Sequence, residues 1–241
     1  MIATARDLRP DQPALTRLAA LAPLEADTAA TLQVLIERAR LVAKRRELMS
    51  EGRPIVEPQL IVSGWAARLR LLIDGRRQFL GFVLPGDIIG LSRHPRPIAA
   101  STVIALTDVT MCTPPRIGIF PELDEAYSVG QALDEGYAFA QITRLGRLDA
   151  QDRISDLLLE LHERLSLNGM AVGGAFDLPL TQEILADTLG LTTVHVNRML
   201  QMAKQNGDLT WTAGRIGLNN PSLLARKVGR SPVKVFGNRL V

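Results

Sequence analysis

The most distinctive side chains of this 241-residue sequence lie between positions 192 and 201, in the run TTVHVNRMLQ. If the run is helical and Val196 faces inward, the opposite face carries Val194, Arg198 and Gln201. A guanidinium can donate two hydrogen bonds to guanine, an amide can pair with adenine, and a valine methyl can contact the methyl group of thymine. The spacing therefore predicts a helix face that contacts base edges in the major groove of double-stranded DNA.

Four more polar side chains border this face. We expect Asn197 to bond adenine or a phosphate, and Thr192 and Thr193, at the start of the helix, to contact phosphates. His195 is a phosphate contact or an ordinary surface residue, since no metal-binding partners lie near it in the sequence. A solvated surface position is the commoner fate of an arginine, but the hairpin around Arg198 favours a DNA contact.

A helix-turn-helix over residues 181–202 would position this face. Thr181 is the expected N-cap of the first helix and belongs to the candidate DNA-binding set, and Gly190 supplies a left-handed turn that is cheap only for glycine. Apolar residues at helical spacing form the buried side of the hairpin: Leu185, Leu189, Val196, Met199 and Leu200. The next segment, GDLTWTAGRIGLNN, predicts two short strands around Ala213-Gly214, a wing with Arg215 near its tip.

Charge and composition agree with this interpretation. The net charge is +3, and residues 181–241 hold eight lysine and arginine residues against three acidic ones. Such an excess suits phosphate binding, although a basic tail can also serve only solubility. The single cysteine, Cys112, excludes a disulfide within the chain. No apolar run approaches the roughly 18 residues of a membrane span. The start of the chain lacks a secretory pattern, so we expect a cytoplasmic protein with no membrane partner.

Residues 1–125 predict a β-rich architecture that differs from the helical C-terminal part. Residues 24–49 look helical before turning extended, and 55–120 alternate short β-type runs with turn signals such as Asp74-Gly75. We therefore assign 1–125 to an N-terminal helix and an antiparallel β-roll of the effector-binding type. The fold class is α+β: this roll, a long helix and a C-terminal winged helix-turn-helix.

One long helix is expected over 126–168, since no proline interrupts it and Ile154, Leu157, Leu158, Leu161 and Leu165 repeat at helical steps. A kink near Gly130–Gly136 or at Gly146 is the alternative that would shorten it. The apolar stripe can be covered by a second copy of the chain or by the chain's own barrel, and the length favours dimerisation. The glycine-rich stretch 169–179 is the expected hinge, and 180–241 the DNA-binding domain with its C-terminal tail.

In this order of parts the chain resembles the Crp/Fnr superfamily of bacterial transcription regulators. The most specific similarity is LPLTQEILADTLGLTTVHVNRML; SGWAARLRLLIDGRRQFLGFVLPGDIIGL and LGRLDAQDRISDLLLELHERL support it. The resemblance implies a homodimer on a two-fold operator, with RNA polymerase as a further partner. Thr193, Val194 and Arg198 match the family's principal base-reading positions. Val194 replaces a glutamate often found there, so we expect a different target sequence.

The resemblance also implies an effector pocket, formed by Gly86, Asp87, Ile89, Gly90, Leu91, Ala99, Ala100 and Ser101. Members that bind cyclic nucleotides carry a glutamate and an arginine where this chain has Leu91 and Ala99. A buried cyclic phosphate would then be largely uncompensated, because Arg93 and Arg96 are expected on an exposed loop. We predict that cyclic AMP is not the effector, whose identity stays unknown.

Other functions find little support. The histidines His94, His162 and His195 are scattered, and no nucleophile motif, phosphate loop or metal-ligand spacing occurs, so no catalytic residue, metal site or cofactor is predicted. One cysteine cannot hold an iron–sulfur cluster, and haem ligation by His94 or Cys112 stays an open alternative. A second alternative is a ligand- or protein-binding module whose winged helix is a protein interface.

Overall fold

The computed structural model describes residues 2–3 and 12–235, and its N-terminal part is a roll of short antiparallel strands with two leading helices. The elements up to residue 112 are, in chain order, β1 (Ile2–Ala3), α1 (Pro13–Leu21), β2 (Leu24–Glu25), α2 (Ala26–Glu37), β3 (Arg40–Val42), β4 (Glu47–Met49), β5 (Gln59–Ser63), β6 (Ala66–Leu71), β7 (Arg77–Val83), β8 (Ile88–Ile89), β9 (Thr102–Ala105) and β10 (Val109–Cys112). The two four-stranded sheets have the orders β3-β10-β5-β8 and β4-β9-β6-β7.

Alternation of side chains explains how these strands enclose a core. In β9 and β10 every second residue is buried, and Val103, Val109 and Met111 pack between the sheets. The predicted hairpin at Asp74-Gly75 joins β6 to β7, and Gly75 has φ of +83° as such a turn requires. Asp74 keeps negative φ, so the turn is not of type I′.

The single helix expected over 126–168 is wrong in one respect, because the structure has two helices there. They are α3 (Pro121–Arg147) and α4 (Ala150–Leu167). Leu148 adopts an extended backbone, and the Asp149 carboxylate accepts a hydrogen bond from the Asp152 N–H at 2.9 Å, which caps a new helix. The chain therefore changes direction at 148–149.

The C-terminal unit is built around α4. Its other elements are β11 (Ala175–Asp177), α5 (Gln182–Leu189), α6 (Thr193–Gln205), β12 (Leu209–Thr212), β13 (Arg215–Leu218) and α7 (Pro221–Val228). Leu157, Leu158 and Leu161 of α4 join Leu185 and Val196 in one core. The boundary between the two halves thus lies at 148–149, and the hinge expected at 169–179 is wrong: those residues include β11, which pairs with β13 inside the C-terminal unit.

Candidate nucleic-acid interface

The hairpin is held by the local interactions that its sequence indicates. Thr181 Oγ1 accepts from the Ile184 N–H and Thr192 Oγ1 from the His195 N–H, both at 3.2 Å, so each helix starts at a threonine cap. Gly190, with φ of +63°, ends α5 in the left-handed conformation. These three predictions are confirmed, and together they fix the angle at which α6 leaves the turn.

One face of α6 projects from the protein. Val196 is fully buried, whereas Val194 is 76% exposed. Arg198 and Gln201 are exposed on the same side, and neither side chain has an ion pair or hydrogen bond within the described part of the chain. Asn197 Oδ1 lies 3.4 Å from Gln182 Nε2, which links α6 to the start of α5.

The predicted wing is also present. Strands β12 and β13 pair around Ala213 and Gly214, which both have positive φ, as a tight hairpin turn requires. Arg215 follows that turn and pairs with Asp177 at 2.8 Å, with both side chains more than half exposed. The wing therefore offers one cation beside the hairpin, in a pair that solvent screens strongly.

The hairpin unit is docked against the roll. Arg77 at the start of β7 donates to Asp187 Oδ2 at 2.6 Å and to Glu183 Oε1 at 2.7 Å on α5. Gln78 Nε2 donates to the Thr188 carbonyl at 3.1 Å. These contacts involve α5 and leave the exposed face of α6 free.

A buried ion cluster joins the two halves. The Asp87 carboxylate lies 2.8 Å from Arg17 of α1 and 2.7 Å from Arg164 of α4, and all three side chains are almost fully buried. Burial alone raises the pKa of Asp87, but the charges of Arg17 and Arg164 outweigh it and hold that pKa below its usual value. Arg144 of α3 pairs with Asp156 and Glu160 of α4.

The segment after α7 returns to the middle of the molecule. Arg230 pairs with Asp156 and Glu163 of α4, each at 3.0 Å, and the Val233 N–H donates to Glu163 at 3.1 Å. Val233 also packs on α3, where a Cβ at Gly136 would come within 2.4 Å of it. Residues 236–241, part of the expected tail, lie outside the described residues.

Only part of the predicted effector set lies together. An open cleft of about 670 Å³ on the roll is lined by five of these residues: Gly90, Leu91, Ala99, Ala100 and Ser101. Gly86 and Asp87 line a second, smaller pocket between α1 and α3, together with Leu91, and Ile89 lines neither of the two pockets. Gly86, with φ of +92°, packs against the Arg17 side chain, Asp87 belongs to the buried cluster, and Ile89 is fully buried in the roll.

Two arginines line the cleft, and neither is both buried and unpaired. Arg96 is on an exposed loop, as expected, and Arg68 lies 3.6 Å from Asp134. His94 is exposed, and half-burial raises the pKa of Cys112 to about 11, so its thiol stays protonated at neutral pH. Among the described residues, no group of three or more histidine, cysteine or acidic side chains is arranged to hold a metal ion.

An apolar stripe on α3 faces solvent. Phe139 is 59% and Ile142 67% exposed, and the small Ala132 lies on the same face about two to three turns earlier. With 27 residues α3 is roughly 40 Å long, and the stripe from Ala132 to Ile142 occupies about 15 Å of it. The α4 residues that the sequence suggested for a dimer seam are instead buried within the chain.

Comparison with known proteins agrees with these observations. Residues 152–227 match a family described as the Crp-like helix-turn-helix domain, which begins within α4. FnrL, a transcriptional activator of Cereibacter sphaeroides, is 36% identical over 156 residues, which cover 61% of this chain and 62% of FnrL. The nitrogen fixation regulator FixK of Bradyrhizobium diazoefficiens is 30% identical over 169 residues, covering 67% of this chain and 70% of FixK.

A solved structure extends the likeness to the whole fold. FixK2 from Bradyrhizobium japonicum superposes with a TM-score of 0.68 at 28% identity, covering 81% of this chain and 99% of FixK2. The chain therefore belongs to the Crp/Fnr superfamily of DNA-binding transcription regulators, a family of regulators and not of enzymes. The predicted fold class is confirmed. No helix among the described residues is long and apolar enough to cross a membrane.

Proposed function

We propose that the protein regulates transcription as a homodimer that places two α6 helices in successive major grooves of a two-fold operator. The observation that carries this proposal is the exposed face of α6, where an apolar Val194 and an unpaired Arg198 project from a capped, rigidly docked helix. A protein-interface role would favour a more apolar face than this one.

The proposed DNA-binding side chains form two groups, those that contact base edges and those that contact phosphates. Arg198 and Val194, with Gln201 and Asn197, read base edges, since they lie on the outer face of the helix. Caps and flanking residues contact phosphates, because the free N–H groups of a helix start attract anions. This second group comprises Thr181, Thr192, Thr193, His195 and Arg215.

Dimerisation through α3 would supply the two-fold symmetry. A stripe containing Phe139 and Ile142 is an apolar surface that a second copy of α3 covers in an isologous contact. RNA polymerase is the partner through which the bound dimer would act on transcription; the related FnrL is named a transcriptional activator.

Selection from a random duplex library, followed by anisotropy on the selected sequence, tests the proposal. A sequence with two inverted half-sites about one helical turn apart is expected. Arg198→Ala should weaken binding by about 1–3 kcal/mol and relax preference at one base pair in each half-site. Arg116→Ala, an exposed arginine next to the far end of α3, is the control. If no sequence is enriched by an intact dimer, the proposal fails.

The roll is proposed not to sense cyclic AMP. Two arginines line the cleft that holds Leu91 and Ala99: Arg68, which is paired with Asp134, and Arg96, which lies on an exposed loop. A cyclic phosphate there would therefore meet no counter-charge that is both buried and unpaired. Isothermal titration with cyclic AMP should give no heat of binding at micromolar ligand. Saturable micromolar binding would overturn this part of the proposal without touching the DNA-binding part.

A further inference from the structure

Three side chains from three elements donate hydrogen bonds to the last carbonyl groups of α5, next to the turn of the helix-turn-helix. Gln78 of β7 and Gln141 of α3 donate to the Thr188 carbonyl, at 3.1 Å and 2.7 Å. Arg153 of α4 donates to the Leu189 carbonyl at 3.0 Å. The last carbonyls of a helix have no partner within it, so side chains can bind them without displacing a helical hydrogen bond. The roll, α3 and α4 therefore all hold the point at which the chain turns from α5 towards α6.

Gln141, which is almost fully buried, reaches the turn in a fixed orientation. Its Nε2 donates to the Thr188 carbonyl, and its Oε1 accepts a hydrogen bond from the Arg144 guanidinium. A carbonyl only accepts and a guanidinium only donates, so these two partners allow a single orientation of the amide. Arg144 is itself paired with Asp156 and Glu160 of α4. The amide of Gln141 is therefore held on both sides by groups that are themselves fixed.

The covalent connection between α3 and α4 does not fix the position of the turn. Leu148 is extended between the two helices, and rotation about its two soft backbone dihedrals would swing the C-terminal unit relative to α3. That position therefore depends on side-chain contacts: Arg144 fastens α3 to α4, and Gln141 joins α3 directly to α5. The bond from Gln141 is the shortest of the three hydrogen bonds at the turn.

Gln141 also lies at the level of the exposed stripe on α3. Phe139 and Ile142 are within one helical turn of it, and their side chains face solvent, whereas Gln141 faces the C-terminal unit. In the dimer proposed above, the two-fold axis passes beside this stripe, so about one helix diameter, roughly 10 Å, separates the dimer contact from Gln141. The hydrogen bond to Thr188 is therefore a short connection between the proposed two-fold axis and the turn that precedes α6.

We propose that Gln141 is a positioning residue that sets the distance and angle between the two α6 helices of the dimer, and thereby determines which half-site spacing the protein recognises. The inference rests on the proposed function, because it requires a dimer through α3 and base reading by α6. Gln141 contacts no DNA and acts through Thr188. One base pair more or less between two half-sites moves them by about 3.4 Å and rotates them by roughly 35°, so two helices in fixed positions accept one spacing.

The test measures affinity for duplexes that carry the selected half-sites with the spacer lengthened or shortened by one base pair. The variant is Gln141→Leu, whose side chain neither donates nor accepts a hydrogen bond. The wild-type dimer should bind the selected spacing about tenfold more tightly than either altered spacing, and the variant should reduce this preference to about threefold or less. Affinity for a duplex with a single half-site should be unchanged, because the base-reading face of α6 is intact.

Gln131→Leu is the matched control. Gln131 also lies on α3, and its amide donates to a backbone carbonyl of the roll, that of Leu91, at 3.3 Å. The same substitution there removes a hydrogen bond between glutamine and a carbonyl without touching the helix-turn-helix, so the spacing preference should be unchanged. If Gln141→Leu does not fold, Gln78→Leu removes the other donor to Thr188 and should reduce the preference by less. A folded variant of Gln141, or in its place of Gln78, with the spacing preference of the wild type overturns the inference.

A measurement without DNA distinguishes failure of the inference from failure of the proposed function. A nitroxide spin label on Gln205→Cys, in a Cys112→Ser background, marks the exposed end of α6 once in each protomer. Double electron–electron resonance then gives the distance between the two α6 helices, which should be narrowly distributed with Gln141 present and broader in Gln141→Leu. If the wild type selects no DNA sequence, the proposed function fails, and identical distance distributions in the two proteins refute the inference separately. A chain that stays monomeric in this measurement overturns both.

Discussion

The two helices that follow the roll differ in what covers their apolar side chains. In α4 the apolar stripe is buried by α5, α6 and the wing, and the charged residues Glu160 and Arg164 are buried with it. In α3 the stripe that includes Phe139 and Ile142 faces solvent, whereas Arg144 is buried. The comparison teaches that helical periodicity predicts a face that must be covered but does not tell what covers it. Here the apolar stripe of α4 is buried within its own chain, whereas α3 leaves Phe139 and Ile142 exposed, where the proposed dimer would cover them.

The largest expected effect comes from the charges that attach α4 to the roll. Asp87→Asn removes the carboxylate shared by Arg17 and Arg164, which leaves the buried Arg17 without a counter-charge and Arg164 with only Glu160, at 3.7 Å. The free energy of unfolding should fall by about 3–5 kcal/mol. Urea denaturation measures this, with Asp74→Asn, at an exposed pair with Arg76, as a control that should leave the midpoint unchanged. A loss below about 1 kcal/mol would show that the cluster contributes little.

The second largest effect is expected when an apolar side chain is shortened in α4, and the same change in α3 should have little effect on stability. Leu158→Ala, at a fully buried position of α4, should lower the free energy of unfolding by about 2–5 kcal/mol because it leaves a cavity in the C-terminal core. Ile142→Ala, at an exposed position of α3, should cost at most about 0.5 kcal/mol under conditions that keep the protein monomeric. Equal losses in urea denaturation would contradict the difference drawn between the two helices.

A charge introduced into the exposed stripe of α3 should weaken dimerisation without changing the stability of the monomer. Ile142→Glu places a carboxylate on the face that the proposed dimer buries, so the dissociation constant of the dimer should rise at least roughly tenfold. Sedimentation equilibrium measures it, and the secondary structure of the monomer should be unchanged. Thr143→Glu is the matched control, because Thr143 is also exposed on α3 but points to a different side of the helix from Ile142. It should leave the dissociation constant of the dimer unchanged. A dimer that tolerates Ile142→Glu would exclude this stripe as the contact.

Acid should have the smallest effect, confined to a narrow window. Since the pKa of Asp87 is lowered in the folded chain, its contribution to stability is complete above its unfolded value of about 4 and is lost as the pH falls through the lower folded value. Denaturation midpoints should therefore drop below about pH 4 more steeply in the wild type than in Asp87→Asn. Parallel curves for the two proteins would show that Asp87 does not carry this dependence.

The helix-turn-helix could be predicted from local signals in the sequence. Thr181, Gly190 and Thr192 each act within four residues, through a cap or a left-handed turn, so their roles are readable without knowing the rest of the fold. The break between α3 and α4 had a local signal as well. Asp149, three residues before Asp152, is a typical N-cap, but the uninterrupted apolar repeat outweighed it in the prediction.

The buried cluster had no such signal. Arg17 and Asp87 are separated by 70 positions, and α1 itself was not predicted, so nothing in either neighbourhood indicates the pair. Two glycines of the PGDIIG run illustrate the same limit: Gly90 lines the cleft, whereas Gly86 lies under Arg17. The prediction assigned both glycines, four residues apart in one motif, to one pocket. Only the fold determines which side of the chain each of them faces.

The contact between Val233 and Gly136 has a mechanical consequence. The C-terminal unit is joined to α3 covalently at 148–149, and the segment after α7 joins it a second time, near the middle of that helix. Between these two points, Arg144 of α3 pairs with Asp156 and Glu160 of α4, and Gln141 Nε2 donates to the Thr188 carbonyl at 2.7 Å. The C-terminal unit is therefore held along the second half of α3. A rotation of α6 relative to α3 must therefore also separate Val233 from the surface of α3 at Gly136.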